Sequence, residues 1–119
     1  MGEVVSNQLE KKVIDAKVEE GMENVFVLTK PIEVEGERYE KLTLDFENLT
    51  GEDIEKAEMQ FNAENPQNSI VMVKEMAKGF AAIMAAKAAG VHVGVIRKLS
   101  ASDYSKVTMR TTLFLMGGK

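Results

Sequence analysis

The chain has no cysteine, no tryptophan, two prolines and a single histidine in 119 residues. Without cysteine there can be neither a disulfide framework nor a thiolate metal site. One histidine cannot complete a zinc site or a nucleophilic triad when no thiol or second imidazole accompanies it. Aromatic residues make up only 6% of the chain, so its core has to be built from aliphatic side chains and methionine. No glycine-rich phosphate loop is present, because GFAAIMAAKAAG lacks both the spacing and the Gly-Lys-Ser/Thr ending of a P-loop. The first ten residues, MGEVVSNQLE, lack the basic start and apolar run of a secretory signal. Lys74, Glu75, Lys78 and Lys87 interrupt the most apolar stretch, 70–95. Each charge would cost roughly 2.5–3.5 kcal/mol at the centre of a membrane span, so no membrane association is expected.

What remains is a length suited to one modest core, a hydrophobic content of 45% and a net charge of −4. The charge is unevenly placed. Residues 1–60 carry a net −9 and residues 61–119 a net +5. That division fits two differently solvated surfaces of one domain. It also fits an acidic face for a basic partner, or self-association between unlike halves.

Residues 1–24 form an acidic leader in which Val5, Leu9, Val13 and Ala16 recur at helical spacing before Gly21. The stripe is thin, so the leader is expected to be flexible or to become helical only against a partner. From Val25 the period becomes two. Phe26, Leu28, Ile32 and Val34 share one face, and Leu42, Leu44 and Phe46 share another. Residues paired across an antiparallel ladder point to one side, and all these positions are even. The parity calls for an odd loop, Val34-Glu35-Gly36, with Gly36 left-handed. Pro31 cannot donate to the ladder and predicts an edge or a bulge.

Thr50 with Asp53 reads as a helix start, followed by Ile54, Ala57 and Phe61 and ended before Pro66. A polar loop should follow from Asn62 to Asn68. Ser69 is expected to cap a helix from Ile70 to about Ala89, closed by Gly90. VHVGVIRK is either one helical turn or a third strand. Ser100 and Asp103 start a last helix with an apolar face of Tyr104, Val107, Thr111, Phe114 and Leu115, stopped by Gly117 and Gly118. The expected fold is α+β: an N-terminal β-hairpin, with or without that third strand, packed against three or four α-helices in a single domain spanning 25–119.

No chemistry stands out on this frame. The carboxylates fall on strand faces and helix starts, where solvation and capping account for them. Arg97, Lys98, Lys106 and Arg110 cluster near the last helix, but no aromatic residue interleaves with them as a nucleic-acid stacking platform would need. Seven internal methionines suit a gap-filled core or an adaptable binding surface. The Ala/Met helix carries more apolar surface than one hairpin covers, with Met72 and Met84 the residues most expected to face outward. The candidate protein-binding residues are Met76, Phe80, Met84, Val107 and Phe114. A second copy of the chain is one occupant for them.

The order of these parts resembles the tail assembly proteins of Mu-like prophages and other long-tailed bacteriophages. The matching residues are Leu28-Thr29-Lys30-Pro31-Ile32, the turn at Gly36, Leu42-Thr43-Leu44, Thr50-Gly51-Glu52-Asp53 and Leu99-Ser100-Ala101-Ser102-Asp103, then the apolar Leu113-Phe114-Leu115. The resemblance implies a non-enzymatic assembly chaperone, with no cofactor, in the cytoplasm of the bacterial host. Its partners would be the tape-measure protein and the tail tube protein, and it would be absent from the finished virion. Two other functions remain open: a structural tail component retained in the particle, and a small nucleic-acid-binding regulator.

Overall fold

The computed structural model describes residues 24–117. The acidic leader expected over residues 1–24 therefore lies outside the described residues except for Asn24. Two strands, β1 (Val25–Val34) and β2 (Glu37–Thr43), form an antiparallel hairpin. Four helices follow: α1 (Gly51–Glu64), α2 (Lys78–Ala89), α3 (Val93–Arg97) and α4 (Ala101–Leu115). The α+β architecture is as the sequence indicates. The third strand is not formed, because VHVGVIRK folds as α3, a single short helix. His92 starts it, its Nδ1 accepting from Gly94 N–H at 2.8 Å.

The hairpin loop holds two residues, not three. Val34 pairs with Glu37, leaving Glu35 (φ 51°) and Gly36 (φ 83°) as the turn. Two successive positive φ values match the primed turn whose twist suits flanking strands. The parity argument failed at the loop because the correction lies further along the ladder. Val27 faces Lys41 and Ile32 faces Tyr39, so Leu28–Pro31 stand opposite Glu40 alone. This bulge, at the position Pro31 demands, restores the pairing of Phe26 with Leu42 on the buried face. A Cβ at Gly36 would meet nothing within 4 Å, so the cost of substitution there is conformational. Gly36→Val should lower stability by about 1–2 kcal/mol, read as a shift in the urea midpoint. An unchanged midpoint would mean that the turn does not need a left-handed residue.

Local signals set most helix ends. Thr50 and Asp53 form a full capping box on α1, and Asn65 ends that helix before Pro66. Gly90, at φ 69°, closes α2 in the left-handed conformation. The start of α2 departs from expectation. Ser69 is no helix cap. Its hydroxyl donates to Pro66 O inside a 3-10 turn, Pro66–Ile70, and a second 3-10 turn covers Lys74–Met76. The polar loop expected over Asn62–Asn68 is divided between the end of α1 and the first of these turns. Ile70, Val71 and Val73 are β-branched, which lowers helix propensity across the stretch.

The core lies around α2. This helix packs against α1, α3 and α4 and touches β2 and the 3-10 turn at Phe46–Asn48. Its small alanines permit contact on every side, and Phe80 through Ala86 are all buried. The 75° edge-on packing of Phe61 on Phe80, with centroids 6.0 Å apart, joins α1 to it. Gly79 makes room for this contact, since a Cβ there would stand 3.0 Å from the Phe61 ring. At the other end Phe46 stacks on Phe114 at 5.1 Å, and Asp45 N–H donates to Ala88 O.

Candidate functional site

The expected contact residues divide sharply. Phe80, Met84 and Val107 are each 0% exposed and hold the core, so in this fold they offer no surface to a partner. Met76 is 64% exposed. Phe114 is half-buried, one ring face taken by Phe46. The structure therefore does not gather the five into one surface. The surplus apolar area inferred for the Ala/Met helix disappears because α2 is surrounded, and because the segment 70–77 never joins it.

That segment is instead the most exposed apolar part of the described chain. Ile70, Met72, Val73 and Met76 all lie outward, and Met72 reaches 95% exposure. Val71 and Ala77 pack against the core and anchor the segment at both ends. Lys74 Nζ donates to Val71 O at 3.0 Å, and Met76 N–H donates to Val73 O. The result is a braced arm outside the α-helices, carrying two methionines, three β-branched residues and the charged pair Lys74 and Glu75. Soluble surfaces tolerate scattered apolar residues, and four exposed within seven positions make this the densest apolar stretch on the described surface. The sequence signal was available: β-branched residues at 70, 71 and 73 argue against a helix, and an apolar stretch outside a helix needs another cover.

A second feature joins two parts of the chain that are distant in sequence. Asp103 is fully buried. Its carboxylate accepts from Thr29 N–H at 3.1 and 3.0 Å, from the Thr29 hydroxyl at 3.0 Å and from Lys30 N–H at 3.2 Å. The bulge removes these two backbone donors from the ladder, and Asp103 supplies the acceptor. Burial alone would push this carboxyl up. The Thr29 N–H, the Thr29 hydroxyl, the Lys30 N–H and the Ser100 hydroxyl together outweigh it and hold the carboxyl below its ordinary value. Ser100 still caps α4 by accepting from Asp103 N–H, so the expected cap is present while the Asp103 side chain acts elsewhere. Asp103 thus ties α4 to the bulge of β1.

The basic cluster is partly committed within the fold. Arg97 pairs with Glu64 at 2.6 Å, and the Arg110 guanidinium lies 5.1 Å from the Phe26 ring centroid. A cation stacked on a core phenylalanine does not make a platform for bases. Among the described residues, no three His, Asp or Glu side chains converge as a metal site would require. No helix among them is long and apolar enough to cross a membrane.

Comparison with known families gives one match. The family model described as phage tail assembly chaperone proteins, E, or 41 or 14, matches residues 25–116. Those bounds run from the first residue of β1 to the residue after α4. No match was found among curated proteins or among solved structures.

Proposed function

The chain belongs to the phage tail assembly chaperones, and from that premise we propose that it works as a non-enzymatic chaperone that binds the tape-measure protein and promotes polymerisation of the tail tube. The work would take place in the cytoplasm of the bacterial host, and the chaperone would leave before the virion is complete. A role in tail assembly follows from the family. The exposed arm 70–76 supports the finer reading. Methionine adapts its shape to a long, changing surface, and an apolar stripe on a helical partner can be held by such an arm. Of the five residues singled out in the sequence, Met76 is the one on this arm. Phe114 would take part only through its open ring face.

The test is co-purification of the intact protein with the tape-measure protein of the same phage. Met72→Glu with Met76→Glu should reduce retention at least tenfold and leave the circular dichroism spectrum unchanged, since both side chains are exposed before binding and desolvated only in the complex. A parent protein that is not retained overturns the proposal. So does a folded double variant retained like the parent, or detection of the chain at stoichiometric level in purified particles, which would make it a structural component.

A further inference from the structure

The acidic leader joins the fold two residues before the base of a groove. Phe26, itself buried, is that base, and Ser105, Lys106, Met109 and Arg110 of α4 complete an open groove of about 440 Å³. The groove is apolar beneath and cationic at its rim, and its lining contains no carboxylate. The one carboxylate of α4, Asp103, is turned to the bulge of β1. Met109 and Leu113 stand one turn apart, are each 54% exposed, and carry the apolar side toward the end of the helix. β1 and α4 run in opposite directions, since Thr29 meets Asp103 and Phe26 meets Arg110. Following β1 back from Phe26 therefore leads along α4 toward Leu113. Asn24 is held at that end, its carbonyl accepting from Leu44 N–H at 2.8 Å. Two residues beyond Leu44, Phe46 stacks on Phe114 of the same half of α4.

We propose that residues Val18–Glu23 of the leader dock on this groove of their own chain, with Val18 and Met22 on its apolar side and Glu19, Glu20 and Glu23 toward Lys106 and Arg110. The reach is short. Met22 lies four residues before Phe26, so even an extended chain separates them by about 14 Å at most. The charges are complementary. Val18–Glu23 carries three carboxylates and no cation, whereas the groove carries two cations and no carboxylate. The spacing also fits. Val18 and Met22 are four apart, as Met109 and Leu113 are, so one helical turn sets both on one side with Glu19 and Glu23 beside them. Exposed ion pairs are individually weak. Tethering offsets that weakness, because a short link gives an effective concentration on the order of mM. A contact too weak to hold two separate molecules together is then filled within one chain. The docked leader covers the exposed apolar side of α4, and any partner for that side has to displace a tethered segment. None of the arm residues 70–76 takes part, so the contact can fail while the function proposed above stands.

The chain has no tryptophan, so Met22→Trp places a single indole in the leader. The reference is the same full-length protein with Glu19→Lys, Glu20→Lys and Glu23→Lys added. At low salt the indole of the parent leader should emit to the blue of that reference and be quenched at least threefold less by acrylamide. The three leader changes touch no residue of the described fold, so circular dichroism should be the same for both proteins. Lys106→Glu in the parent-leader protein should expose the indole in part. Lys106→Glu with Arg110→Glu, combined with the three leader changes, should shield it again. Shielding should not vary with protein concentration, and it should weaken at about 0.5 M salt, where the screening length is a few ångströms. Hydrogen exchange at residues 18–23 repeats the comparison without the indole, and should be at least tenfold slower in the unsubstituted chain than in the triple leader variant. An indole as exposed in the parent leader as in the reversed one overturns the proposal. So does shielding that grows with concentration, which would seat the leader on a second copy. Shielding that survives Lys106→Glu with Arg110→Glu in a folded protein overturns it too, because the leader would then dock elsewhere.

Discussion

Replacing Asp103 by alanine should destabilise the protein by about 2–4 kcal/mol. A hydrogen bond to a charged group is worth about 1.5–3 kcal/mol, and Asp103 accepts from three donors. The total is set below the sum because Thr29 and Lys30 are exposed residues, and water can reach their donors once the carboxylate is gone. The loss is specific to the bulge. Val27 and Ile32 on either side retain ladder partners, while Thr29 and Lys30 have none in β2. Thr29→Val removes only the hydroxyl contribution and should cost about 1 kcal/mol. Asp103→Asn keeps one acceptor but turns an amide donor toward donors, so its cost should fall between the two. Urea midpoints for the three variants give the ranking. Asp103→Ala as stable as the parent would mean that the bulge holds itself.

The same joint has a pH signature. The Asp103 carboxyl titrates below its ordinary value of 3.8 in the folded chain. The unfolded state therefore binds the proton more readily. The stabilisation is fully present above the unfolded value and is lost as the pH falls through the lower, folded value. Asp53 is lowered as well, chiefly by the Thr50 backbone N–H of the α1 capping box, and it shares that window. Acid unfolding of the parent should therefore steepen below about pH 4. Asp103→Asn should flatten that slope without removing it.

Asp103 also illustrates how far the sequence could be read. The Thr50–Asp53 capping box, the Ser100 cap, Gly90 and the bulge at Pro31 are short-range features, in which a few neighbouring residues fix the backbone and their types announce it. The α1 cap, the end of α2, the cap of α4 and the position of the bulge were all legible for that reason. The partner that completes the bulge lies 74 residues away from Thr29. Nothing local at Ser100–Asp103 distinguishes a carboxylate that closes a capping box from one that reaches across to a strand. Displaced N–H groups need an acceptor, but Leu28–Ile32 and Leu99–Asp103 enter the family resemblance as separate motifs with nothing to mark them as partners.

The candidate site was legible only at its edge. Met72 was expected to face outward and does, at 95% exposure, but Met84 was expected beside it and is buried. Both expectations came from placing a single helix over Ile70–Ala89. Once the chain breaks into 3-10 turns before Lys78, residues 70–76 leave the helical register and become an arm. Burial of Met84 depends on α1, α3 and α4 closing around an alanine-rich helix, which is a property of packing between distant elements. Periodicity within one segment carries no information about how many neighbours that segment will have.

Met84→Glu should consequently unfold the protein. Met84 is 0% exposed in the cluster formed with Phe80, Ile83, Ile96 and Val107. A carboxylate placed there would be buried without a designed partner. It would either stay charged in an apolar setting or take up a proton, and each route removes several kcal/mol. A domain this small has total stability toward the lower end of roughly 5–15 kcal/mol, so little folded protein should remain at neutral pH. Met84→Leu preserves volume and polarity and should cost less than about 1.5 kcal/mol. Met72→Glu changes an exposed position and should stay within about 0.5 kcal/mol of the parent. Thermal and urea melts on the three variants separate core from arm. If Met84→Glu melts with the parent while Met72→Glu does not, the two methionines have been assigned to the wrong sides of the fold. In that case the helix from Ile70 to Ala89 would have to be reconsidered as a continuous, partner-facing element.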